Sequence, residues 1–250
     1  MSKTAKFSNG KWKIENLHKL LLYCSNFEIA DIGKCKFELY NYQKTAVKEL
    51  LDIDEGSLIV ASCGAGKTLI AIDLYLELLS RFKIKGPGLI VVKSSLKVQW
   101  YHEVLKFSDL TPSIVETTAK AKKKFDSQFT GDLLICNYET LNDDLVRERL
   151  LSMNIDYVFA DEVQYVKNYA AKRSKSLYKF NKIKYTFGAT ATPIQKNPRD
   201  IFGIYRFIKK DIFTNINTFD KRYVKKNSLG FIIGSRNERE LTDKIRDNLI

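Results

Sequence analysis

The sequence predicts an α/β fold: a mostly parallel sheet with helices on both faces, followed by a C-terminal helical extension. Three observations predict it. Short apolar runs of strand length, at residues 57–61, 89–92, 132–137, 157–160 and 185–188, alternate with stretches of helical periodicity, the signature of consecutive strand–helix–strand units and of a sheet buried on both faces. A glycine-rich turn joins the first of these strands to its helix. Two adjacent carboxylates follow the strand at 157–160, at the end of an open sheet where ligands bind.

Residues 1–36 read as an N-terminal extension. Trp12, Ile14, Leu17, Leu20 and Leu21 are spaced there for one face of a helix or for a small appendage, and no chemistry is assigned to them. From Phe37 the chain leads through Gln43 into a helix over 44–51 with Ala46, Val47, Leu50 and Leu51 on one side. Residues 69–79 continue the glycine-rich turn as an amphipathic helix. Gly86, Pro87 and Gly88 punctuate the chain before the next strand. Ser94 or Ser95 then suits the N-cap of a helix carrying Leu96, Trp100 and Val104 on one face, the last two read as core.

Residues 113–116 read as a short strand and the lysine-rich 120–124 as a basic helix or loop with a solvated face. The strand 132–137 runs into Tyr138, Glu139, Thr140 and Leu141, the start of a helix reaching about residue 151. After the acidic doublet, Lys172, Arg173, Lys175, Lys179, Lys182 and Lys184 follow one another with no acid between them. The strand 185–188 ends in Ala189, Thr190, Ala191 and Thr192, before a helix over 198–208.

The turn Cys63-Gly64-Ala65-Gly66-Lys67-Thr68 has the context of a phosphate-binding loop, between a strand and a helix. Gly64 and Gly66 let the backbone curl closely around a triphosphate and aim N–H groups inward. Lys67 supplies a point charge, and Thr68 opens the helix, where its hydroxyl suits Mg²⁺ while the helix N-terminus faces the phosphates. The eight-residue pattern G-x-x-x-x-G-K-[ST] is not met in full, because Ala61 stands at its first glycine. Gln43, just before a helix and upstream of this loop, has an amide that both donates and accepts, as reading an adenine requires. Asp161 suits the water shell of Mg²⁺, and Glu162 suits the orientation and deprotonation of the water that attacks the γ-phosphate. Hydroxyls at Thr190 and Thr192, next to the acidic pair, suit a relay of nucleotide state, and Lys93, Ser94 and Ser95 occupy a strand-to-helix tip suited to a nucleic-acid phosphate.

Bulk properties narrow the partners. Lys and Arg number 42 against 29 Asp and Glu, a net +13 with a pI near 9.4, which favours a polyanionic partner, although a lysine-rich proteome gives the same balance. Cys24, Cys35, Cys63 and Cys136 form no C-x-x-C pair, and His18 and His102 are far apart. A disulfide framework, a zinc site and a histidine-based triad are therefore not indicated. No signal-type or membrane-spanning apolar run is present, so the expectation is an intracellular protein without a membrane partner.

As an ordered set these stretches resemble the SWI/SNF family of helicase-like ATPases in superfamily 2, the double-stranded DNA translocases. Tyr42 and Gln43 resemble the adenine-reading segment, residues 64–68 motif I, residues 93–100 motif Ia, and Asn137, Tyr138, Glu139, Thr140 and Leu141 the stretch at motif Ib. Asp161-Glu162-Val163-Gln164 with Lys167 and Asn168 is similar to motif II, and Thr190-Ala191-Thr192-Pro193-Ile194-Gln195 to motif III. Phe219, Tyr223 and residues 234–241 resemble the helical region after the first lobe. Gln164 replaces the commoner histidine, Ala191 a common glycine, and Ala61 fits the superfamily 2 form of the loop.

The resemblance implies a RecA-like ATP-binding lobe over 37–209 and a helical extension over 210–250 leading toward a second lobe, in the same longer chain or in trans. It implies ATP bound by Tyr42, Gln43, Cys63, Gly64, Ala65, Gly66, Lys67 and Thr68, and Mg²⁺ held by Thr68 and Asp161. Catalysis would fall to Lys67, Asp161 and Glu162, duplex DNA to Lys93, Ser94, Ser95, Asn137, Tyr138 and Thr140, and coupling to Gln164, Thr190 and Thr192. The expected function is a DNA-dependent ATPase that translocates on double-stranded DNA, nearly inactive as this lobe alone. Two alternatives stand beside it: a nucleic-acid-binding module with an idle ATPase apparatus, and an RNA helicase or restriction-type motor subunit.

Overall fold

A computed structural model describes residues 5–8, 11–14, 35–121, 124–194 and 197–250. Its centre is a six-stranded sheet, every neighbouring pair of which is parallel: β3 (Leu58–Val60), β4 (Gly88–Val92), β5 (Pro112–Ile114), β6 (Leu133–Asn137), β7 (Tyr157–Asp161) and β8 (Tyr185–Thr190), in the order β3-β8-β7-β4-β6-β5. Every residue of β4, β6, β7 and β8 is buried. Alternate side chains of β4 serve two different cores, Leu89 and Val91 on one face and Ile90 and Val92 on the other, as the two-residue period of a strand dictates.

One face is covered by α1 (Asn41–Ile53), α2 (Lys67–Ser80) and α3 (Lys97–Phe107), whose Val47, Leu50, Leu74, Trp100 and Val104 pack with Phe159 and Phe187. The spacing suggested an amphipathic helix, and α2 is instead buried all round. Every residue from Leu69 to Leu78 is buried, because neighbours enclose it on all sides, and Asp73 and Glu77 are carried inside with the rest. The short helix α4 (Thr118–Ala121) follows β5, and residues 122 and 123 of the expected basic run lie outside the described residues.

The other face carries α5 (Asp144–Ser152), α6 (Lys172–Leu177) and α7 (Arg199–Ile208), with Val146, Leu150, Leu177, Ile201 and Tyr205 in one core. Helix α5 starts later than the sequence suggests. Residues Thr140–Asn142 form a 3-10 turn, and Asp143 caps the helix by accepting from the Val146 N–H.

Beyond α7 lie α8 (Ile216–Tyr223), β9 (Val224–Lys226), β10 (Ile232–Ser235) and α9 (Glu238–Ile245). The expected helical extension thus includes an antiparallel ribbon. Its turn is held by Asn227, whose Oδ1 accepts from the N–H groups of Leu229 at 3.1 Å and Phe231 at 2.9 Å. Phe213, Phe219, Tyr223, Leu241 and Ile245 join the same core as α7. Leu249 bridges Leu58 in parallel, and Val60 N–H donates to the Ile250 carbonyl at 2.6 Å, so residues 249–250 flank β3 on its free side.

At the other end, β1 (Ala5–Ser8) and β2 (Lys11–Ile14) form an antiparallel hairpin. Trp12 and Ile14 are therefore strand residues and not part of a helical face, the two-residue alternation of Lys11, Trp12, Lys13 and Ile14 winning locally. Leu17, His18, Leu20, Leu21 and Cys24 lie outside the described residues.

Candidate nucleotide site

The glycine-rich loop leaves the sheet pinned to its neighbour. Ala61 N–H donates to the Thr190 carbonyl at 3.1 Å, so the last residue of β8 fixes the first residue of the loop. Ser62, Cys63 and Gly64 are exposed. Gly66 has φ 71° and ψ 35° and opens α2 without a side-chain cap. A Cβ there would meet Gln43 Nε2 at 2.2 Å, so only glycine fits both the turn and its neighbour. An α-helix leaves its first N–H groups without intrahelical partners, and α2 has no acidic residue in its first turn. Such an end attracts anions. The Lys67 ammonium arcs back over the loop, donating to the carbonyls of Ala61 at 3.3 Å and Ser62 at 3.1 Å.

The acidic pair stands at the same end of the sheet. Val60 is level with Thr190 on β8, and Asp161 with Ala189. One strand separates β3 from β7, which puts their axes about 10 Å apart. The Asp161 side chain is nearly buried, its Oδ1 accepting from the Glu162 N–H at 2.9 Å and its Oδ2 from Trp100 Nε1 at 3.2 Å. Tyr138 donates its hydroxyl to the Asp161 carbonyl at 2.7 Å. Burial pushes the Asp161 carboxyl above its ordinary value; the Trp100 N–H opposes this, Glu162 adds to it, and the Lys67 charge opposes it from across the site.

Glu162 adopts a left-handed conformation, φ 51° and ψ 49°, which turns the chain sharply off β7. An L-residue held there costs about 1–2 kcal/mol, a strain that clusters at functional sites. Gln164 Nε2 donates to Glu162 Oε2, and Gln164 Oε1 is buried with no partner among the described residues.

On the far side of the loop, Tyr42 OH donates to the Ala65 carbonyl at 3.1 Å and Gln43 Nε2 to the same oxygen at 3.4 Å. Gln43 Oε1 accepts from the Tyr40 N–H at 2.9 Å. The Gln43 amide is thus buried and already committed at both ends, and the freer surface is the exposed Tyr40 ring stacked on Tyr42 at 5.9 Å.

The strand-to-helix tips divide. Ser94 and Ser95 are exposed and Lys93 half-exposed, in a 3-10 turn (Ser94–Leu96) before α3. Neither serine caps α3, whose N-cap position is Leu96. The second tip does not present the expected side chains. Tyr138 is fully buried beneath Tyr165, Thr140 is buried, and Asn137 Oδ1 accepts from both the N–H and the hydroxyl of Thr140. They brace the strand end, and the group exposed there is Glu139, paired with Arg173 at 3.3 Å. Thr190 is buried with its hydroxyl accepting from the Thr192 N–H at 3.0 Å, while Thr192 is exposed.

Two residues escaped the sequence reading. Trp100 is spaced like any core residue, and nothing in that spacing announces its bond to Asp161. Tyr165 gathers cations: Lys93 Nζ lies 5.0 Å from its ring centroid and the Arg173 guanidinium 5.5 Å.

The sequence profile of the SNF2-related domain matches residues 42–249. The chain belongs to the SNF2-related family. An uncharacterized ATP-dependent helicase of Mycoplasma pneumoniae is 25% identical over 194 residues, 76% of this chain and 18% of that protein. The ISWI chromatin-remodeling complex ATPase ISW2 of Saccharomyces cerevisiae is 28% identical over 201 residues, 76% of this chain and 18% of that protein. The solved Sulfolobus solfataricus SWI2/SNF2 ATPase core in complex with dsDNA shares the fold at TM-score 0.72 and 20% identity, over 90% of this chain and 46% of that one. This SNF2-related chain therefore spans 18% of the length of each of those two relatives. Its six-stranded parallel sheet with helices on both faces has the RecA-like α/β fold of that solved SWI2/SNF2 ATPase core.

Proposed function

We propose that this chain is the ATP-binding lobe of a DNA-dependent ATPase that moves along duplex DNA. It works against a second RecA-like lobe, in the same longer protein or in trans. The observation that carries the reading is the convergence of the Lys67 loop and the Asp161 carboxylate at one end of the sheet, one strand apart, with β8 tied to both.

The donor set fits a nucleotide-borne divalent cation. Magnesium is ordinarily held by one or two carboxylates together with substrate phosphates, and the Asp161 carboxylate and the Thr68 hydroxyl suit that role. Bound there, Mg²⁺ would neutralise charge developing on the transferring phosphoryl group. Lys67 exchanges the Ala61 and Ser62 carbonyls for phosphate oxygens. The N–H groups of the loop and the first turn of α2 hold the same phosphates, and Tyr40 and Tyr42 offer the base a face. Glu162, turned out of the strand and steadied by Gln164, orients the attacking water and takes its proton. Lys93, Ser94 and Ser95 grip duplex phosphate, with Tyr165 and Arg173 beside them, so base preference should be weak.

The Sulfolobus relative's capture with dsDNA and the net charge of +13 support the duplex reading. The small share of each relative that the chain covers supports the second lobe. An arginine finger from such a lobe is worth about 10³–10⁵ in rate, so this lobe by itself should turn over very slowly. No helix among the described residues is long and apolar enough to cross a membrane, and the proposed place of work is an intracellular compartment containing DNA.

The test is hydrolysis by this chain together with its second lobe, with and without duplex DNA. DNA-stimulated turnover that disappears in Glu162→Gln while ATP binding persists is expected. No stimulation by duplex DNA would favour an idle binding module, and stimulation by RNA alone would favour an RNA helicase.

A further inference from the structure

We propose that Trp100 is a positioning residue for the Asp161 carboxylate, its indole N–H fixing the orientation in which that carboxylate meets a nucleotide-bound divalent cation. This rests on the nucleotide-site reading above and assigns the indole a role beyond filling the core.

Trp100 lies in the middle of α3, 2% exposed, with its ring 5.8 Å from that of Phe159. Phe159 and Asp161 are two residues apart on β7 and so project from the same face of the sheet. The indole spans both: its ring system packs by Phe159, and its Nε1 reaches Asp161 Oδ2 at 3.2 Å. A buried indole N–H has one donor and no acceptor, and it must find an oxygen. Here that oxygen belongs to the carboxylate at the strand end that faces the loop.

The second oxygen is held separately, Oδ1 accepting from the Glu162 N–H at 2.9 Å. Two donors fixed on different elements, one on α3 and one on the turn after β7, set the carboxylate's rotation, because twisting its Cβ–Cγ bond breaks both. The lone pairs that remain are then presented in one direction. Packing alone would be served by phenylalanine; only the N–H does the positioning. Outer partners of this kind typically change metal affinity about 10- to 100-fold when removed.

The chain has two tryptophans, Trp12 and Trp100, which makes a single-atom test possible. In a Trp12→Phe background, tryptophan is replaced biosynthetically by benzothienylalanine, which keeps the bicyclic shape and has no N–H. Mn²⁺ binding in the presence of ADP is read by electron paramagnetic resonance, ADP binding without metal by calorimetry, and folding by thermal melting. The expected result is roughly tenfold weaker Mn²⁺ binding, with metal-free ADP affinity unchanged, and the same direction in Trp100→Phe. Unchanged Mn²⁺ affinity in the benzothienylalanine protein would overturn the proposal. Lys67→Ala, measured alongside, separates the two readings. If Mn²⁺ and ADP bind that variant as tightly as the parent, the site assignment itself fails. If Lys67→Ala loses them while the indole replacement changes nothing, only the role of Trp100 fails.

Discussion

Replacing Asp73 by asparagine should remove a pH dependence built into the helix that follows the glycine-rich loop. Asp73 is fully buried in α2, and neither carboxylate oxygen has a hydrogen-bond partner among the described residues. Burial, and then repulsion from Glu77 one turn on, raises its carboxyl from the ordinary 3.8 to about 7. Glu77 is itself held by Arg81 at 2.9 Å, and Cys35 feels the Asp73 charge from the segment before α1. An acid whose folded-state pKa is raised binds its proton more tightly folded than unfolded, so stability is greatest at low pH and falls as pH rises from about 4 to about 7, then levels off. Between about pH 5 and about pH 8 that is roughly two pH units at ~1.36 kcal/mol each, a loss of about 2–3 kcal/mol. Asparagine keeps the shape and cannot ionise. Urea unfolding of both proteins at the two pH values should therefore show the variant gaining about 2–3 kcal/mol on the parent between them, with titrations common to both cancelling. A stability difference that is the same at both pH values would refute the reasoning.

Three further outcomes are expected. Lys67→Ala should weaken binding of Mg²⁺ and ATP roughly 10- to 100-fold, the worth of one charge-assisted hydrogen bond at ~1.5–3 kcal/mol; calorimetry giving an unaltered affinity would count against the placement of the phosphates. Gly66→Ala places a side chain at φ 71° and against Gln43, so it should cost about 1–3 kcal/mol in urea unfolding, and an unchanged midpoint would show that the loop relaxes freely. Lys93→Ala should weaken duplex binding evenly across sequences and lower the slope of log K against log salt by about 1; a sequence-selective loss would mean that Lys93 reads bases.

The strands of the parallel sheet were legible because burial on both faces leaves an unbroken apolar run, as in Leu89-Ile90-Val91-Val92, and the loop because its glycines and lysine are adjacent in sequence. What was not legible depends on contacts between distant segments. Spacing marks Asp73 and Glu77 as the polar stripe of an ordinary surface helix, and only the enclosure of α2 puts them inside. Trp100 looks the same from sequence whether its N–H meets solvent or Asp161, a partner 61 positions away. Tyr138 and Thr140 follow a strand end, a place that favours exposure, yet Tyr165 covers Tyr138 and Asn137 holds Thr140 in the turn, so both are buried. The ribbon at β9 and β10 had its signal in Asn227-Ser228-Leu229-Gly230, a turn sequence overshadowed by the helical periodicity on either side.

The account rests on Thr68 at the head of α2 and Asp161 at the end of β7 sharing one cation with the triphosphate that Lys67 binds. Iron-directed backbone cleavage tests this most directly: Fe²⁺ replaces Mg²⁺ in the presence of ATP, ascorbate and peroxide, and the cut sites are mapped by mass spectrometry. The account predicts ATP-dependent cuts beside both Thr68 and Asp161 in the same sample, with both shifted together to higher ATP concentration in Lys67→Ala. Cuts at one stretch only, or cuts that persist without ATP, would contradict it.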